Sequence, residues 1–442
     1  MKLTENDIGR LIVVTKNKIN YKGYVVEFNN QFVKLKLKDN GYNIDVVLDE
    51  NTSIELTDTK VNFGKIPTHP IKHNPNLPNI TYIGTGGTIG THVDYNTGGV
   101  FMCRSPEEII STTPELESIV NIQNIESPLM KASEDMDYKD WQKISEVVFN
   151  SLENKDIDGV IITHGTDTLA WTGVATSFMI ENINKPVLLV GAQRSPDRAS
   201  FDGSMNLICA SHFVKERIPG VYLVMHGSMN DDFCYVIRAV KSKKLHTSRR
   251  DAFKAINDVP IAKVYASGKI EYLVPKDTLK LPSEKPILNN SFDNRLAIIK
   301  AYPNSDPKVI DWYISNNYKG LVIEGTALGH VPVMKEDNGF GENSWIPYLK
   351  KAIDKGLIVI MSSQSIFGRV NNKVYANLRY ISSVGVEYLD QHDMLPEVVF
   401  IKLGIALARF DTNEEIINFM KTNIVGEISK KETPKDYDNV IE

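Results

Sequence analysis

Cysteine is scarce in this chain. Only Cys103, Cys209 and Cys234 occur, widely spaced and odd in number, a pattern that fits neither a disulfide framework nor a metal knuckle and suits a reducing compartment. No apolar run approaches the ~18–20 residues that a bilayer crossing takes. The start, MKLTENDIG, has no cationic stretch leading into an apolar core. Neither a membrane span nor a secretory signal is therefore expected, and a cytoplasmic setting is. An excess of positive charge is missing as well: Lys plus Arg number 50 against 55 Asp plus Glu, for a net −5. Whole-surface binding to nucleic acid is excluded on that balance. Neither GxxxxGK[ST] nor GxGxxG follows a strand, so a phosphate cradle or dinucleotide site is not expected in this chain. What remains is an ordinary globular composition, 42% hydrophobic and 24% charged over 442 residues, enough for two or three domains of about 100–200 residues each.

The first sixty residues are β-rich. Short runs at LIVV (11–14), YKGYVVEF (21–28), FVKLKL (32–37), IDVVL (44–48) and SIEL (53–56) are separated by turn-prone segments, Asp39-Asn40-Gly41 the clearest. Five short strands without a helix predict a small barrel of SH3-like or Sm-like type over 1–60. Pro67, Pro70, Pro75 and Pro78 then mark a linker over 61–78, because prolines this dense extend neither a helix nor a central strand. From Ile80 the texture is different. ITYIGT (80–85), GVIITHG (159–165), PVLLVG (186–191) and GVYLVMHG (220–227) are near-continuous apolar runs, as in a parallel sheet covered on both faces. Helical patterns at 140–152 and 168–180 lie between them. This alternation predicts an α/β domain over 79–285. A second α/β domain is expected over 286–428, with strands at 295–302, 320–326 and 357–363 and helices near 307–317, 344–355 and 413–422. The charged tail, 429–442, is expected to fray.

Two loops draw the chemistry. In ITYIGTGGTIG (80–90) a buried strand runs into Thr85-Gly86-Gly87-Thr88. Adjacent glycines at a strand's carboxyl end let a ligand approach the backbone and permit φ values that a side chain forbids, and open parallel sheets bind ligands at that edge. In ITHGTDTLAW (162–171) a strand ends near His164, and Thr166-Asp167-Thr168 opens a helix. Asp or Thr there also suits an ordinary helix N-cap. Both loops nonetheless leave carboxyl ends of one predicted sheet, which puts two clusters of hydroxyls on the same rim.

TGGTIG followed about eighty residues later by THGTD resembles the paired signatures of the bacterial-type L-asparaginase/glutaminase family, from about residue 79 to about 420. With its β-rich leader, the whole chain is similar to the asparaginase-like component of archaeal glutamyl-tRNA(Gln) amidotransferases. The resemblance implies an asparaginase-like two-part α/β body. It assigns catalytic roles to Thr88, Tyr95, Thr166, Asp167 and Lys244. Lys244 is the loosest of these, because Lys241 and Lys243 crowd it. Ser133 and Glu134, in ASEDM, match the pair that binds the substrate's α-carboxylate and α-ammonium; common asparaginases have Gln in place of Glu134. Amide hydrolysis needs a nucleophile, a proton acceptor and a donor to the developing oxyanion. Thr166–Lys244–Asp167 reads as a proton relay and Thr88 with Tyr95 as the attacking pair, which threonine attacks first being left open. Backbone N–H groups at the Thr166 helix start are candidate oxyanion donors.

The implied activity is hydrolysis of glutamine to glutamate and ammonia. A partner, the amidotransferase's E subunit (GatE), would use the ammonia with ATP to convert Glu-tRNA(Gln) to Gln-tRNA(Gln). No cofactor is expected in this chain, ATP and Mg²⁺ belonging to the partner, and no metal site is expected: His69 and His73 are separated by Pro70. A homodimer core within a heterotetramer is implied, without membrane contact. The alternative is a free-standing L-asparaginase/glutaminase. Lys241, Lys243, Lys244, Arg249 and Arg250 read by default as a solvated basic loop, and His164 as a support for the loop that follows it. EGTALGHVP (324–332) and DMLPE (393–397) resemble family segments near a contact between subunits.

Overall fold

The computed structural model describes residues 3–39, 42–61, 73–94, 99–102, 106–196, 200–279, 282, 284–336, 339–434 and 437. Its first sheet holds β1 (Arg10–Lys16), β2 (Ile19–Phe28), β3 (Phe32–Leu37), β4 (Asn43–Val47) and β5 (Thr52–Lys60), antiparallel in the order β4-β3-β2-β1-β5. Asn17 and Lys18, at φ 50° and 66°, close the β1–β2 hairpin, both central residues being left-handed as a twist-matched two-residue turn requires. Alternate residues point inward, and Ile12, Val14, Val25, Val33, Leu35 and Val46 form a small core. The sheet curls until Lys16 Nζ on β1 donates to the Val47 carbonyl at the end of β4 (2.7 Å). No ladder joins β4 to β5 among the described residues, so the expected barrel is a curled sheet with two edges.

The main sheet has eight strands: β6 (Asn79–Gly84), β7 (Asn121–Glu126), β8 (Gly159–Thr163), β9 (Pro186–Val190), β10 (Gly220–His226), β11 (Cys234–Arg238), β14 (Ala262–Val264) and β15 (Ile270–Tyr272). Between β11 and β14 in the chain, β12 (Ser242–Lys244) and β13 (Phe253–Ala255) form a separate ribbon. The order is β15-β14-β11-β10-β9-β8-β6-β7. Strands β6 to β10 are mutually parallel, and β11, β14 and β15 extend that sheet antiparallel. The apolar runs read from the sequence are four of the parallel strands, β6, β8, β9 and β10, buried on both faces; the parallel edge strand β7, half-exposed, was not among them.

Helices α1 (Tyr138–Glu153), α2 (Leu169–Met179) and α3 (Gly203–Val214) cover the faces. A second, all-parallel sheet contains β16 (Leu296–Lys300), β17 (Gly320–Gly325) and β18 (Ile358–Ser363). Against it packs α4 (Pro396–Arg409), buried over most of its circumference. Its inward residues share one cluster with Val174, Ala175, Phe178 and Met179 of α2, so a single apolar seam joins the two sheets' layers. The chain from Ser429 does not begin as a frayed tail. Ser429 N donates to Asp393 (2.9 Å), its Oγ to the Asn257 carbonyl (2.9 Å), and its own carbonyl accepts from Arg369 (2.7 Å).

Candidate active site

The chain leaves β6 for β7 on one side and returns to place β8 on the other side of β6. Strand order therefore reverses between β6 and β8, the crevice where open α/β sheets bind ligands beyond their carboxyl ends. TGGTIG follows β6 and HGTD follows β8. The two loops leave neighbouring strands side by side.

They are then pressed together. Thr85 N and Oγ1 both donate to the Thr163 carbonyl, at 3.1 and 2.9 Å. Gly86 and Gly87 have φ of 108° and 78°. A Cβ on Gly87 would stand 2.5 Å from Gly165 N, and one on Gly86 2.3 Å from the Lys131 carbonyl oxygen. Gly165 in turn backs on Ser133, whose Oγ would be 2.7 Å from an added Cβ. Only hydrogen atoms fit at these three contacts, so the glycines let the loops at 85–88, 131–134 and 164–168 share one rim. Thr88 opens a single 3₁₀ turn over Thr88–Gly90, one residue beyond the Gly87–Gly165 contact. Tyr95 lies outside the described residues.

Lys244 closes the group. Its Nζ donates to Thr166 Oγ1 (2.8 Å) and to Asp167 Oδ1 (2.7 Å). The lysine side chain is 15% exposed, whereas that of Asp167 is 62% exposed, which leaves the carboxylate open to a substrate's ammonium. The crowding of lysines resolves by strand alternation. Lys243 turns to Glu397 (2.7 Å) and Lys241 to Asp393 (2.8 Å). Arg249 pairs with Asp251 and Arg250 with Asp231. The first half of the basic run, 241–244, is therefore not a solvated loop, whereas His246–Arg249 are exposed; each of the five cations has an acidic partner within the chain.

The hydroxyl and carboxylate of HGTD are not spent on capping α2. Thr168 is the N-cap residue but makes no side-chain capping bond; its Oγ1 donates to the Ser133 carbonyl instead (2.6 Å). Ser133 is buried by this contact, while Glu134 is exposed beside it. His164 is fully buried, with Nδ1 against the Gly165 carbonyl (2.7 Å) and Nε2 against Thr172 Oγ1 (2.8 Å). Burial pulls its pKa down to about 4, which keeps the ring neutral and makes it a strut beneath the loop.

A third loop was missed from the sequence. A Cβ on Gly191, which follows β9, would lie 2.8 Å from Thr166 Cγ2, so the start of GAQR packs on Thr166. Buried Asp202 holds it by accepting from Gln193 N and Arg194 N at 2.9–3.1 Å. Asn206 donates to the Gly191 carbonyl (3.0 Å) and meets His226 Nδ1 (2.6 Å). Gln193 Nε2 is buried without a partner among the described residues. The signal available in the sequence was an apolar strand running into a glycine with an Asp some eleven residues on; by itself it is too common to single out.

Comparison with known proteins agrees with this geometry. The family model "Asparaginase, N-terminal" matches residues 79–277, and "Glutaminase/Asparaginase C-terminal domain" matches residues 295–420. The D subunit of glutamyl-tRNA(Gln) amidotransferase from Pyrococcus abyssi is 40% identical over 96% of this chain and 95% of that protein. The corresponding D subunit of Methanopyrus kandleri is 41% identical over 88% of this chain and 84% of its own length, and that of Methanococcus maripaludis 37% identical over 96% and 98%. The chain belongs to the asparaginase/glutaminase family, among its amidotransferase D subunits. As such it is an amidohydrolase. Family members of known structure include the thermostable L-asparaginase from Thermococcus kodakarensis, with a TM-score of 0.69 and 26% identity over 80% of this chain and 100% of that one. L-asparaginase I from Vibrio cholerae superposes with a TM-score of 0.65, 26% identical over 80% and 99%. Those asparaginases thus leave a fifth of the chain without a counterpart, whereas the D subunits from Pyrococcus and Methanococcus match nearly all of it.

Proposed function

We propose that the chain hydrolyses glutamine and supplies the ammonia to a partner, the amidotransferase's E subunit (GatE), which amidates Glu-tRNA(Gln). Likeness over nearly the whole length to D subunits supports the assembly, and the contact of Lys244 with Thr166 and Asp167 carries the chemistry. ATP and Mg²⁺ are assigned to the partner, and a homodimer core within a heterotetramer to the assembly.

In the proposed reaction a threonine Oγ attacks the side-chain amide carbon while its proton passes to a base. Lys244 is that base, receiving the proton along the hydrogen bond that joins its Nζ to Thr166 Oγ1. As the tetrahedral intermediate collapses, its nitrogen takes that proton back from Lys244 and leaves as ammonia, and an acyl-threonine remains. Water then repeats the attack and releases glutamate. Thr88 and Thr166 are the two candidate nucleophiles, with Tyr95 assisting Thr88. Asp167 orients Lys244 and, with Ser133 and Glu134, receives the substrate's α-amino and α-carboxylate groups.

The test is ammonia release by the purified protein, alone and with the partner and Glu-tRNA(Gln). Lys244→Ala, Thr166→Ala and Thr88→Ala should each lower turnover by about 10²–10⁴-fold, the size expected for removing a base or a nucleophile. Full activity in Lys244→Ala would overturn the mechanism. Brisk asparagine turnover without partner or tRNA would instead favour the free-standing L-asparaginase that the 0.69 TM-score likeness allows.

A further inference from the structure

Strands β12 and β13 are three residues each and, among the described residues, pair only with one another, with one further backbone bond at each end, Leu245 N to the Ala252 carbonyl and Ile256 N to the Lys241 carbonyl. A two-stranded ribbon this short is marginal by itself, yet it carries Lys244. Its residues alternate in direction, so a slip of one position would turn Lys243 toward Thr166 and Lys244 away. Buried Phe253 and Ala255 seat β13 in the core, and β12 adds contacts of its own to the register.

Two ion pairs lie where such a constraint is needed. Lys243 Nζ is 2.7 Å from Glu397 Oε1, with Glu397 8% exposed. Lys241 Nζ, just before β12, is 2.8 Å from Asp393 Oδ2, the two side chains being 3% and 0% exposed. Lys241 also donates to Ser429 Oγ (2.9 Å), and Ser429 N donates back to Asp393 (2.9 Å). Both acids sit at the start of α4, which is rooted in the apolar seam beneath the site. Glu324 at the end of β17 also faces Lys243 and Glu397, with Lys300 nearby; burial raises its pKa. Lys243 thus stands among carboxylates of the second sheet layer, and Lys244, one residue on, stands among the groups of the first.

We propose that Glu397 through Lys243, and Asp393 through Lys241, are positioning residues that fix the register in which Lys244 reaches Thr166 and Asp167. This rests on the role assigned to Lys244 above. Removing one pair lets the ribbon shift, and about 1 Å of misplacement at a reacting group can cost 10²-fold in rate. Substrate contacts at Ser133, Glu134 and Asp167 come from other loops and stay where they are.

The experiment is steady-state ammonia release from glutamine by the full chain, under whichever condition of the preceding assay gives turnover. Glu397→Gln should lower kcat by about 10–100-fold with KM changed less than about twofold. The exchanged pair Lys243→Glu with Glu397→Lys should recover most of the lost kcat, and Glu397→Asp part of it. Lys244→Ala is assayed alongside. If Lys244→Ala is inactive while Glu397→Gln and Asp393→Asn both keep full kcat, the positioning role is overturned and the hydrolase assignment stands. If Lys244→Ala is active, the hydrolase assignment itself fails. A loss in Glu397→Gln that follows its melting temperature, and that neither the exchanged pair nor Glu397→Asp repairs, also overturns the proposal.

Discussion

Acid should destabilise this protein well before most of its carboxylates titrate, because two histidines are folded into places where they cannot be charged. His164 lies under the rim loop and His392 beside the start of α4, at 0% and 1% exposure. Burial pulls each from 6.5 to about 4. Below pH 6.5 the unfolded chain binds a proton at each position and the folded chain does not, so the unfolded state holds more protons and stability falls as pH falls. The full difference corresponds to about 3 kcal/mol per histidine below pH 4, and about 2 kcal/mol of it is already lost at pH 5. Half-buried His212, also held low by burial, adds in the same sense. Glu324, raised by burial, works the other way and returns part of the loss. Carboxylates held low, such as Asp293 at about 2, give up stability only at lower pH. Between pH 7.5 and 5 the two buried histidines therefore dominate, with a net loss of about 4 kcal/mol out of the 5–15 kcal/mol usual for a folded domain. Urea unfolding at the two pH values measures it. His392→Gln, which can still donate to the Met361 carbonyl and accept from Met394 N, should remove about half of the pH dependence. Stabilities within about 1 kcal/mol at the two pH values, or an undiminished dependence in His392→Gln, would refute the reasoning.

Gly87→Ala should leave the fold intact and disable the site. Its φ of 78° and the 2.5 Å approach to Gly165 N force the two rim loops apart, and ammonia release should fall at least about 100-fold with circular dichroism unchanged; a variant of ordinary activity would contradict the interlock. Lys402→Met tests the seam. Lys402 and Glu427 are both fully buried at 2.6 Å, and the lysine also donates to the Met420 and Thr422 carbonyls at the end of α5 (Asn413–Lys421). Stranding Glu427 should cost about 3–5 kcal/mol in urea unfolding. The double variant Lys402→Met with Glu427→Gln should recover part of this, and a single variant within about 1 kcal/mol of wild type would disprove the pairing.

What was legible in the sequence was whatever has a short-range cause. The central parallel strands announce themselves because a strand buried on both faces has no polar alternation, and the run PVLLVG (186–191) overruns the observed β9, Pro186–Val190, by one residue. TGGT and HGTD were legible as a pair: each alone suits an ordinary turn or helix cap, but both in order, each after a strand, match the family's paired signatures. Helix α4 was not. PEVVFIKLGIALAR is apolar around most of its surface, so it lacks the one-sided period by which a surface helix is read. The antiparallel strands β11, β14 and β15 escaped for a similar reason: at three to five residues each, they are shorter than any dependable pattern. The anchored Ser429 was illegible because its partners, Asp393, Asn257 and Arg369, lie far away in the chain.

The basic run KSKKLHTSRR shows where such reading ends, and why the second layer matters to a site that the first layer supplies. Composition gives five cations in ten residues, and composition alone implies a solvated loop. The fold divides them instead. Lys244 goes to Thr166 and Asp167, Lys241 and Lys243 go to Asp393 and Glu397, and the arginines go to acids of their own layer. None of the candidate reacting groups comes from residues 295–420, although that stretch too is matched by a family model. Within one chain, a layer that contributes no reacting group can still bear on the chemistry through register. The residues of α4 that face β12 stand one peptide away from the lysine whose contacts define the site, and the ion pair they make is the means by which the two layers act on the same atoms.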